Sequence, residues 1–278
     1  MVFLAAMDPQ TGLIESDAAR DVGIDLCVKY AGAEPFPHIV IDDFLPQEIA
    51  QLCLDEFTSI GRGGVKASGG FDRAQERAKR QFAPEQLSAP VRQIFHAFNS
   101  RPFIRVLENI SGIEGLIPDP DFLGGGLHEI ATGGHLSVHA DFNHHKRLNL
   151  ERRINLLIYL NKEWHEDNGG QLELWSEDMT QCEKSVVPLF NRAVMFNTTN
   201  NSNHGNPQPI NHPAGQSRKS IALYYYTATW DGSKREHTTQ FRSRPDTSDA
   251  TDWSIKGREL LADLLPPLIT RTLRKFKK

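Results

Sequence analysis

The chain has 278 residues, 39% hydrophobic and 24% charged, with a net charge of -4. That balance supplies a core and excludes both a disordered chain and a global basic field suited to nucleic acid or anionic membrane. Cys27, Cys53 and Cys182 are too few and too scattered for a disulfide framework or a zinc knuckle, and they fit a reducing compartment. No apolar run reaches the ~18–20 residues of a membrane helix, and MVFLAAMDPQ lacks the basic start of a signal peptide. The expectation is a cytoplasmic globular protein with no nucleic-acid or membrane partner.

Residues 1–34 are weakly patterned and end at Pro35 and Pro37, which force an extended backbone. HIVIDDFL (38–45) reads as a short buried strand. Pro46 then suits a first helical turn, and Ile49, Leu52, Cys53 and Phe57 recur at helical spacing. GRGGVKASGGFD (61–72) has five glycines in twelve positions, which reads as a mobile loop. The cations after it (Arg73, Arg77, Lys79, Arg80) fit a solvated helix face or, with the loop, a lid over an anionic substrate. Residues 84–110 read as helical, with Ser100 as N-cap before Pro102. From 122 to 230 the texture becomes β-rich: five short apolar segments are separated by Asn, Gly, Asp and Pro clusters, as in an antiparallel sandwich or barrel. Trp253 to Lys278 reads as a terminal helix broken at Pro266–Pro267. The whole, 1–278, reads as one α+β domain with a mainly β core. A helical support with an opening strand occupies 1–121, the core 122–230, and a polar, helical tail 231–278.

Most of the eleven histidines read as surface or packing residues, and His144–His145 as a loop pair. His128-Glu129 lacks the second histidine of a metalloprotease motif. His139-Ala140-Asp141 is different. It ends a β-like segment, so His139 and Asp141 share a face. With one further imidazole from another strand they make the 2-His-1-carboxylate triad of non-haem Fe(II). His204, near the end of a later strand, is placed for that role. Fourteen residues on, Arg218 and Ser220 share a face of the strand SIALYYYT. Together they can hold a planar carboxylate, the arginine by bidentate hydrogen bonds. A metal chelator with a remote carboxylate, such as 2-oxoglutarate, fits both ends.

The run of HAD, YLN followed by Trp164, GGQLELW, NRAVMFNT, NHGNPQPI and RKSIALYYYT resembles the 2-oxoglutarate- and Fe(II)-dependent dioxygenases, in their prolyl 4-hydroxylase-like branch. PFPHIVIDDFLP resembles the opening strand of small members, so the resemblance covers roughly 35–230. It implies a double-stranded β-helix, or jelly roll, bracketed by N-terminal helices, to which the sequence reading adds the C-terminal helix. It implies Fe(II) on His139, Asp141 and His204, 2-oxoglutarate anchored by Arg218, O2 as co-substrate, and ascorbate as an optional reductant. Tyr159, the tyrosine of YLN, matches a residue that donates to the same remote carboxylate in oxygen-sensing prolyl hydroxylases. Leu136 departs from their tyrosine three residues before the first histidine, while Asp141 separates the chain from halogenases, which lack that carboxylate. The implied activity is hydroxylation of an unactivated C–H bond of an amino-acid, peptidyl-prolyl or other small-molecule substrate, with release of succinate and CO2. A cupin-like metal isomerase and a non-catalytic binding module on the same fold are the alternatives. Trp230 either borders the pocket or packs.

Overall fold

The computed structural model describes residues 1–249 apart from 232, 235 and 248. The expected helix at 253–278 lies outside the described residues. The described residues form four α-helices: α1 (Cys27–Ala31), α2 (Gln47–Gly63), α3 (Ala89–Phe98) and α4 (Arg101–Ser111). The N-terminal strands are β1 (His38–Ile41), β2 (Gly69–Arg73), β3 (Glu76–Phe82) and β4 (Ile117–Pro118). The core strands are β5 (Gly126–Ala140), β6 (His144–His145), β7 (Leu150–Tyr159), β8 (Leu172–Trp175), β9 (Cys182–Val186), β10 (Ala193–Asn197), β11 (His204–Asn206) and β12 (Arg218–Thr227). A short β13 (Gln240–Phe241) closes the set. All pairings are antiparallel, in the order β1-β10-β7-β12-β5-β11-β8-β9.

Strand alternation explains the near-continuous apolar runs. On β7, Ile154, Leu156 and Ile158 face the helices, together with Ala193 and Met195 of β10 and Ile221, Leu223 and Tyr225 of β12. The opposite face turns Tyr159 inward with Val194, Phe196, Leu172 and Leu174. Both faces are covered, so both must be apolar. Under the helices the phenylalanines form a chain of edge and tilted contacts, Phe98–Phe103 at 5.0 Å and Phe95–Phe122 at 5.6 Å. Ser100 does stand at the N-cap of α4, but its buried hydroxyl makes no capping bond.

β5 serves both halves of the roll because it turns in the middle. Its first half pairs with β12 and its last residues with β11. The turn is made at Gly133 and Gly134. A Cβ on Gly134 would lie 2.5 Å from Ile130 and 2.7 Å from the Arg77 carbonyl, so no larger residue fits.

Residues 61–80 correct the reading of a mobile loop and a solvated helix face. α2 runs to Gly63, and β2 and β3 form a hairpin whose second strand pairs with β5 from Glu76↔Leu136 to Phe82↔Leu127. The partner for these residues lies some fifty positions away, a non-local pairing that local glycine content does not report. The His144–His145 loop pair is likewise a short strand on β7, with His145 buried.

Candidate metal centre and co-substrate pocket

The register of β5 and β11 builds the centre. His204 stands directly opposite His139 across the pair, their rings 4.5 Å apart, so the third donor comes from the neighbouring strand. Asp141 follows two residues after His139 on the same face. Its Oδ1 lies 3.4 Å from His139 Nε2 and its Oδ2 3.4 Å from His204 Nε2. These spacings approach the roughly 3 Å kept by adjacent donors around a six-coordinate ion with bonds of about 2.1 Å.

Backbone carbonyls set the tautomers. His139 Nδ1 donates to the Ser137 carbonyl and His204 Nδ1 to that of Ser202, each at 2.9 Å, which leaves both Nε2 lone pairs facing Asp141. Burial and the adjacent His139 hold the His204 ring below its ordinary pKa, against the pull of Asp141, so it stays neutral. Burial alone would raise Asp141, yet the Arg152 guanidinium beside it holds its carboxyl well below the usual range. Two imidazoles with their outer nitrogens tied down, beside an ionised carboxylate, fit Fe(II).

A second group of potential ligands, Asp119, Asp121 and His145, fails the same test. There the Leu148 N–H donates to His145 Nδ1 at 3.2 Å, which puts the ring proton on Nε2. That N–H points towards Asp119 and Asp121 at 3.7 and 4.0 Å, and Arg147 already pairs with Asp121 at 3.1 Å.

The metal ligands line a cavity of about 200 Å³ that also receives Arg218, Ser220, His128, Asn206 and Arg152. Arg218 is 5% exposed. Its Nε donates to the Gly170 carbonyl at 2.7 Å and its Nη2 to the Tyr159 hydroxyl at 3.2 Å. Gly170 has φ +71°, and a Cβ there would meet Arg218 Cδ at 3.0 Å, so the glycine leaves room for the guanidinium. Among the described residues no carboxylate pairs with Arg218, and burial pulls its pKa down. A buried cation without a counter-ion, facing a cavity, is a site for an anion.

Ser220 sits between Tyr159 of β7 and His128 of β5 as their cross-strand neighbour. Tyr159 does not line the cavity. It is fully buried, and its ring and hydroxyl both contact Arg218, so it touches the anchor rather than the space an anion would fill. Trp230 stacks on His144 at 4.1 Å and also lies outside the lining.

His128 and Arg152 line the cavity without a direct signal of it in the sequence. In the sequence His128 suggests only an incomplete protease motif, yet its place opposite Ser220 turns it into the cavity, and its Nε2–H donates to the Gly124 carbonyl at 3.0 Å. Arg152 looks like a surface residue in LERRINL, yet it is 2% exposed. Its guanidinium lies 3.7 Å from the Tyr224 ring centroid and 4.4 Å from that of Phe142. It donates to Asn155 Oδ1 and pairs with Asp141 at 3.0 Å. Alternation on a strand buried on both faces was the one available signal.

Residues 125–226 match the family model described as the 2OG-Fe(II) oxygenase superfamily. No curated protein matches the sequence. Among solved structures the chain is similar to a prolyl hydroxylase from Trichoplax adhaerens in complex with a hypoxia inducible factor oxygen degradation domain peptide fragment. That match has 17% identity over 76% of this chain and 92% of the other, with a TM-score of 0.53. It is also similar to a Pseudomonas putida prolyl-4-hydroxylase, at 19% identity over 73% and 98%, with a TM-score of 0.51. A Phytophthora capsici prolyl 4-hydroxylase matches at 17% over 88% and 75%, with a TM-score of 0.52. At these identities the likeness establishes the fold, a double-stranded β-helix. With the His-Asp-His triad, the family match makes residues 125–226 a 2OG-Fe(II) oxygenase domain of prolyl 4-hydroxylase-like architecture. The protein is an enzyme of the 2-oxoglutarate-dependent dioxygenase class.

Proposed function

We propose that this oxygenase hydroxylates an unactivated C–H bond of an amino-acid, peptidyl-prolyl or other small-molecule substrate. One observation carries the reading: three metal donors and a buried arginine without a counter-ion share one cavity. His139, Asp141 and His204 would hold Fe(II), and Arg218 with Ser220 would hold the far carboxylate of 2-oxoglutarate, with Tyr159 setting the guanidinium's angle. When bound, Fe(II), 2-oxoglutarate and O2 supply the oxidising chemistry, inserting one oxygen atom into the C–H bond and releasing succinate and CO2.

The chain's own residues position and shield. Arg152 neutralises and aims Asp141 from one side while the backbone carbonyls aim the two rings. The β2–β3 hairpin contributes Phe71, Arg73, Glu76 and Lys79 to the cavity wall and limits water there. Arg152 also lines an adjoining polar cleft with Asn143, Thr198, Thr199 and Asn200, a route by which a polar substrate would reach the metal. The protein acts as a single domain in the cytoplasm in this reading.

Succinate release tests it. With Fe(II), 2-oxoglutarate and a panel of free amino acids, prolyl peptides and polar metabolites, at least one substrate should raise succinate above the uncoupled rate, with a +16 Da product. His204→Ala should abolish both signals. Succinate release that no substrate raises, or that survives His204→Ala, would overturn the proposal.

A further inference from the structure

We propose that Asn206 is a further co-substrate contact, its side-chain amide donating to the metal-end carboxylate of 2-oxoglutarate; this rests on the co-substrate reading above.

Asn206 follows His204 by two residues on β11, so both side chains point into the roll. Beyond it, the Gln208 carbonyl accepts from the Gly170 N–H at 3.2 Å, and the Gly170 carbonyl in turn accepts from Arg218 Nε at 2.7 Å. One wall of the cavity therefore presents a metal ligand, then Asn206, then the anchorage of Arg218. A diacid reaching from the arginine to the metal passes the amide.

Three side-chain amides line the cavity, and two are committed. Gln81 Nε2 donates to the Gly125 carbonyl at 2.8 Å, and Asn155 Nδ2 to Asp141 at 2.7 Å. Asn206 is 3% exposed, and among the described residues its Nδ2 has no hydrogen-bond partner. A buried N–H left unpaired is costly, and native structures keep few of them. The acceptor it lacks is one that a ligand brings.

Chemistry selects which end of the ligand. Arg218 and Ser220 already face the far carboxylate. A 2-oxo acid that chelates through its 2-oxo oxygen and one carboxylate oxygen keeps the second carboxylate oxygen, which needs a donor in a buried site. Arg152, the other donor near the metal, is engaged by Asn155 and Asp141. Asn206 is the uncommitted one.

The test is calorimetric titration of the Mn(II)-loaded protein with 2-oxoglutarate and with 2-oxopentanoate, which lacks the far carboxylate. Asn206→Ala should raise both dissociation constants by the same factor, about five- to tenfold, the size of one net hydrogen bond. Asn206→Asp, which keeps the shape but replaces the donor with an anion, should weaken both acids further. Arg218→Ala should weaken 2-oxoglutarate alone. Mn(II) affinity and the melting temperature of Asn206→Ala should match the wild type. Unchanged affinity for 2-oxopentanoate in Asn206→Ala, or a loss of metal binding or of melting temperature in its place, would overturn the assignment. Wild-type protein that binds Mn(II) but neither acid would instead overturn the co-substrate reading, and this inference with it.

Discussion

Each metal-facing side chain owes its state to a neighbour that a motif does not mention. His139 and His204 present their Nε2 atoms because carbonyls two residues back accept the Nδ1 protons, and Asp141 stays ionised because the Arg152 guanidinium outweighs its burial. The same logic assigns Tyr159 a positioning role. Tyr159→Phe should raise the dissociation constant of 2-oxoglutarate about fivefold, the value of one hydrogen bond to the guanidinium, and leave metal affinity unchanged. A Tyr159→Phe protein with wild-type affinity would remove the tyrosine from the anchor. At this scale the sequence was legible where chemistry is concentrated in a short pattern. His139, Asp141, His204, Arg218 and Ser220 all line the cavity. Asn206 was not legible, because an asparagine in a stretch of asparagines and prolines looks like any turn residue until its burial is known.

Among the elements, the β2–β3 hairpin departs furthest from the sequence reading. Its glycines suggested mobility and its cations a solvated face, since both signals are local, whereas its order comes from pairing with β5. Inside the hairpin, buried Glu76 accepts from Arg73 at 2.9 Å and from Lys79 at 2.8 Å, which holds its pKa down in spite of burial. Arg73 also lies 5.5 Å over Phe241, which in turn packs on His139 at 5.6 Å. Hairpin and β13 are thus latched across the metal ligands. Glu76→Gln should leave two cations without their anion and loosen the latch by about 2 kcal/mol, less than a fully buried pair because Arg73 is partly exposed. The readout is faster hydrogen exchange across 69–82, and unchanged exchange there would contradict the latch. The β core, by contrast, was legible in outline, because apolar runs of strand length between turn residues carry their own boundaries.

For the whole molecule, burial of neutral histidines sets the response to acid. Burial and the nearby Lys79 and Arg218 hold His128 well below its ordinary pKa, and His204 is lowered as well. The unfolded chain then binds more protons than the folded one below pH about 6.5, so stability present above that pH is lost as pH falls. The metal-free protein should melt at progressively lower temperature below pH about 6.5, and His128→Gln should flatten part of that slope; an equal slope in the variant would show that His128 protonates without cost. All of these roles depend on one cavity binding metal and 2-oxo acid together. Anaerobic titration of metal-free protein with Fe(II) and then 2-oxoglutarate, followed by visible absorption, measures that directly. A saturable charge-transfer band is expected, weakened at equal ligand by Arg218→Ala and absent in His204→Ala. Stoichiometric Fe(II) binding with no band at saturating 2-oxoglutarate would contradict it.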